Sequence, residues 1–94
     1  MNQQDFSVPP TRFSRAELDR LLEMSSAIRC ECPNHLASLV SSLQAFERYS
    51  KTCINRNEKD AYVHQMLHAE TAKARAMLEE ALEKLCIHEG IPLK

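Results

Sequence analysis

The sequence predicts an all-α fold, a three-helix antiparallel (up-down-up) bundle with a long third helix that dimerises into a larger helical bundle. Three observations carry that expectation. Apolar residues recur at the 3.6-residue helical period through most of the chain, and no stretch alternates at the period of a strand. Side chains that start and stop helices stand at the ends of the periodic segments. The break between the second and third segments is only a short Asn55-Arg56-Asn57 turn, which suits antiparallel neighbours.

A chain of 94 residues makes one domain. Residues 1–12 read as a flexible N-terminal arm, polar and stiffened by Pro9-Pro10, on which Phe6 and Val8 are candidate anchors. The helical domain is expected over 13–91, with helices at about 14–28, 33–53 and 57–89 and a tail at 92–94.

The first helix opens on Ser14 and Glu17, the S-x-x-E spacing of a capping box, with Phe13 and Leu18 spaced as a hydrophobic staple. Leu18, Leu21, Leu22, Ser25 and Ile28 mark its apolar face. Pro33 suits the first position of the second helix, where a missing N–H costs nothing, and its ring forces a break at Cys32. Leu36, Leu39, Val40, Leu43, Phe46, Ser50 and Cys53 then form a stripe about five turns long.

The third helix starts at Asn55 or Asn57, with Glu58 and Asp60 at the positive end of its dipole. It closes on Gly90, the only glycine, with Ile91 folding back and Pro92 blocking continuation. Its expected inward stripe is Val63, Met66, Leu67, Glu70, Ala74, Met77, Leu78, Ala81 and Leu85. Glu70 inside that stripe calls for a partner, either a basic residue of a neighbouring helix or a metal. The Arg75–Glu79 and Glu80–Lys84 pairs are expected on the solvated side. At roughly 45 Å, this helix is too long for one short neighbour to cover, so the chain is expected to form a homodimer.

Composition narrows the function classes. A net charge of −1 gives no basic footprint for nucleic acid or for an anionic membrane surface. No apolar run approaches a membrane span, and the N-terminus lacks the pattern of a signal peptide. The four cysteines are therefore expected as reduced thiols in a cytoplasmic protein. There is no Ser/His/Asp order, no Gly-rich phosphate loop and no paired-carboxylate spacing, so the expectation is a non-enzyme.

Two groups of residues carry candidate chemistry. Cys30, Cys32 and His35 place three soft ligands in six residues at a helix start, a donor set suited to zinc or to a reactive thiol. The C-x-C spacing is tighter than that of structural zinc sites, and three donors leave the shell incomplete; plain capping and packing competes with both readings. His64 and His68 stand one turn apart on the third helix, so their rings can converge on one ion, or simply line a helix seam. An antiparallel arrangement sets them near Cys53 and sets Cys30 and Cys32 near Cys86 and His88, which argues against one site built from both groups.

The segments Cys30-Glu31-Cys32-Pro33-Asn34-His35-Leu36-Ala37, Ala45-Phe46-Glu47-Arg48-Tyr49-Ser50 and His88-Glu89-Gly90-Ile91 resemble a helical region of bacterial regulators of the MerR type. That region lies apart from their winged-helix DNA-binding domain, and no basic winged-helix segment is present in these residues. The resemblance implies an accessory or dimerisation role in transcription control, with a regulatory protein as partner. The expectation is therefore a small regulatory or protein-interaction domain; the alternative is a small metal-binding or thiol-based sensor using residues 30–35.

Overall fold

A computed structural model describes residues 8–24 and 30–92. It contains three helices: α1 (Arg15–Glu23), α2 (Cys32–Thr52) and α3 (Glu58–Glu89), with no strand among the described residues. No helix there is long and apolar enough to cross a membrane.

The ends of the helices follow from local hydrogen bonding. Ser14 Oγ accepts the Glu17 N–H at 3.1 Å while Glu17 Oε1 accepts the Ser14 N–H at 2.8 Å, so two otherwise orphaned donors are satisfied reciprocally. α1 stops at Glu23, short of the expected 28. The Met24 N–H turns back to the Leu21 carbonyl, and the Asn34 amide donates to the carbonyls of Leu21 and Leu22 at 2.7 and 3.3 Å. A side chain from the next helix thus satisfies the last carbonyls of α1. The expected face residues Ser25 and Ile28, like Phe6 of the arm, lie outside the described residues.

α2 begins at Cys32, with Glu31 as its cap and Pro33 second, one residue earlier than expected. Asn57 Oδ1 accepts the Asp60 N–H at 2.9 Å and opens α3. At the other end Gly90 takes φ 71°, which an L side chain tolerates poorly. Its N–H donates to Ile87 and the Ile91 N–H reaches back to Cys86, the pairing of a Schellman motif. Ile91 is buried as a result.

α2 packs against both other helices. Phe13, Leu18, Leu21, Ala37, Val40, Leu82, Cys86 and Ile91 form the core, with Met24, Leu36 and Leu78 against it. That core draws on α1, the first half of α2 and the last part of α3. The nine residues of α1 span about 14 Å, against about 48 Å for the 32 of α3, so α1 covers one end only.

Which faces turn inward differs from the sequence expectation. The buried positions of α3 are Ala69, Ala72, Arg75, Glu79, Leu82 and Cys86. In its expected stripe Ala74, Met77 and Ala81 are exposed, and Glu70 is exposed and paired with Lys73 at 3.1 Å. On α2 the buried set is Asn34, Ala37, Val40, Gln44, Glu47 and Ser50 after Pro33, while Leu39 and Phe46 are exposed. In both helices the inward face lies largely one residue beyond the apolar stripe, a rotation of about 100°.

Candidate functional site

The rotation is explained by a charged cluster where α2 and α3 meet. Arg75 is 1% exposed and Glu79 0%, so the pair expected on the solvated side is among the most deeply buried of the described residues. Arg75 Nε and Nη2 donate to Glu47 Oε1 and Oε2 at 2.8 and 3.1 Å, a bidentate fork. Nη1 donates to Glu79 Oε1 at 2.8 Å and to the Pro10 carbonyl at 3.0 Å, and Nη2 also donates to the Pro9 carbonyl at 2.8 Å. Five bonds match the five N–H groups of a guanidinium. The hydrogen bonds that Arg75 donates to Glu47, then the one it donates to Glu79, push its pKa above its already high value against the opposing effect of burial.

One guanidinium faces two carboxylates, so the excess negative charge needs further donors. Glu79 Oε2 receives them from the backbone N–H groups of Arg12 and Phe13 at 3.1 and 3.0 Å, and from Gln44 Nε2 at 3.5 Å. Two successive prolines explain how an extended arm reaches such a place. Pro9 and Pro10 offer carbonyl acceptors and carry no N–H that burial would leave unsatisfied. These charged groups are thereby consumed in holding the arm to α2 and α3.

The Cys30–His35 segment is arranged differently. Cys30 is half-buried, Cys32 and His35 are exposed, and the Cys32 N–H donates to Cys30 Sγ at 3.4 Å. His35 Nε2 lies 3.6 Å from Glu31 Oε1. A helix N-terminus by itself favours a thiolate, yet the Cys32 thiol pKa is raised. The Cys30 thiol is the main cause, through a hydrogen bond and then like charge, and Glu89 adds to it. Cys30 and Cys32 are thus brought together and His35 is drawn to Glu31. Among the described residues, no three or more His, Cys, Asp or Glu side chains gather to hold one ion.

His64 and His68 border a cleft of about 370 Å³ with Ser50, Lys51, Asn55 and Gln65. His64 Nδ1 lies 2.6 Å from Asn55 Oδ1, and His68 Nδ1 lies 2.8 Å from the Glu47 carbonyl. These partners, rather than Cys53, fix the rings. The i,i+4 spacing is visible in the sequence; the tethers lie nine and 21 positions away and are not.

The exposed apolar side chains form the remaining feature. Leu39 is 55% exposed, Phe46 40% and Met77 73%, and Phe46 stacks on Tyr49 with ring centroids 6.4 Å apart. No family model, no curated protein and no solved structure matches this chain.

Proposed function

We propose that this chain is a protein-interaction domain, an up-down-up bundle that works as a homodimer joined through the outer apolar face of α2 and α3. The observation that carries the proposal is the one-residue offset between the apolar stripe and the buried face in both helices. Contacts of Glu47 with Arg75 and of Gln44 with Glu79 support an antiparallel pair, since the later residue of α2 meets the earlier one of α3. In such a pair, the same offset on each helix turns both stripes to one side. Leu39, Phe46, Ala74, Met77 and Ala81 then share a single surface, with Leu43 and Leu78 half-buried along it.

A second copy is the occupant this surface suits. Fully burying an exposed side chain such as Leu39 or Met77 contributes at most about 1.5–3 kcal/mol, a gain that works against the entropic cost of association. A binding role fits better than catalysis, because Arg75, Glu47 and Glu79 are already engaged in structural bonds. The likeness to MerR-type helical regions adds a regulatory setting for such a dimer, with a further protein as its target.

Sedimentation at micromolar concentration tests the proposal. The native chain should run at twice its chain mass, and a Leu39→Glu/Met77→Glu variant at the chain mass with unchanged helicity. A native monomer, or a variant that still pairs, would refute it.

A further inference from the structure

We propose that His64 and His68 form a binding site for a divalent first-row transition cation of the zinc type, with Nε2 of each imidazole as ligand and water completing the shell. Imidazole suits such ions, and one helical turn sets the two Cβ atoms about 5–6 Å apart on one face. Spacing alone is a weak signal; the tethers strengthen it. A backbone carbonyl only accepts, so the 2.8 Å contact with Glu47 puts the proton of neutral His68 on Nδ1. Asn55 Oδ1 does the same for His64 at 2.6 Å. Each neutral ring then carries its lone pair on Nε2, the nitrogen a metal would use.

Ligating histidines characteristically donate their other N–H to an oxygen acceptor, which fixes both tautomer and ring orientation. Both rings border the same cleft with Lys51 and Gln65, and its volume of about 370 Å³ has room for an ion and its waters. The charged groups around the cleft nearly balance. Lys51 opposes a cation, but is exposed and free to turn into solvent. Asp60, one turn before His64, is held in the charged form by backbone and side-chain bonds from Arg56, whose own charge offsets it. With two protein ligands, the site is exchangeable rather than structural.

Zinc titration of the intact reduced chain, followed in long-range ¹H–¹⁵N spectra of the histidine rings, separates this site from the thiols, with His88 as reference. The metal-free spectrum should show Nδ1–H tautomers at His64 and His68. Zinc should then shift Nε2 of both rings together. His64→Ala should weaken binding at His68 by about tenfold or more, and Asn55→Ala, which removes only the tether, by about 10–100-fold. Nε2–H tautomers in the free protein, shifts confined to His35, movement of only one of the two rings, or undiminished affinity in Asn55→Ala would each overturn the assignment.

Discussion

Replacing Arg75 by alanine would remove five hydrogen bonds and leave Glu47 and Glu79 facing each other without a cation. Breaking a buried ion pair from one side costs about 3–5 kcal/mol, because the remaining charge has lost its partner but not its burial. Total stability for a chain of this size is about 5–14 kcal/mol, so the variant should be severely weakened. Arg75 itself does not titrate in any accessible range, since its partners move its pKa further upward. The pH dependence therefore comes from the abandoned carboxylates.

Two buried carboxylates that face each other without a cation repel, and one proton taken up between them relieves the repulsion, so protonation favours the folded variant. The deficit of Arg75→Ala should therefore be largest near neutral pH and shrink on acidification toward about 4.3, the ordinary glutamate value. Urea unfolding at one fixed protein concentration, at about pH 7 and again at about pH 5, measures both quantities. A loss under about 1 kcal/mol at neutral pH, or one that does not shrink in acid, would refute the reasoning.

Two further outcomes follow from the helix ends and the core. Ser14→Ala should cost about 1 kcal/mol in chemical denaturation, since the Glu17 N–H loses its acceptor. Burial pushes the Cys86 thiol pKa up, so its contribution is complete below the unfolded value of about 8.5 and is lost as pH rises further. Stability should thus fall on the alkaline side, and Cys86→Ala should flatten that slope in a urea series, whatever its cost at neutral pH.

Features governed by near neighbours were legible in the sequence. The Ser14–Glu17 box, the Asn57 cap and Gly90 at the end of α3 each depend on residues within five positions. The orientation of the helices was not, because its determinants are remote. Arg75 finds Glu47 across 28 positions and the prolines across 65 and 66. A pattern of apolar residues identifies a surface that avoids water, but does not say whether the same chain or another one covers it. Arg75 and Glu79 have the spacing of an exposed pair and of a buried one alike. His64 and His68 were legible as a pair for the same local reason, while the oxygens that fix their rings belong to α2 and to the turn.

The fastening of the arm by carbonyls of Pro9 and Pro10 and amides of Arg12 and Phe13 has a consequence for the order of folding. Its acceptors and donors exist as a unit only once α2 and α3 have met, because Glu47 orients the guanidinium that receives the prolines. These contacts span 65 and 66 positions, and chain closure has to precede any reward from them. The arm's full set of bonds is therefore available only on an assembled helix pair. Exchange of the Arg12 and Phe13 amide protons with solvent would occur whenever the arm alone lifts away, a local opening well short of global unfolding. Those two protons are a natural gauge of how often the ionic knot beneath them loosens.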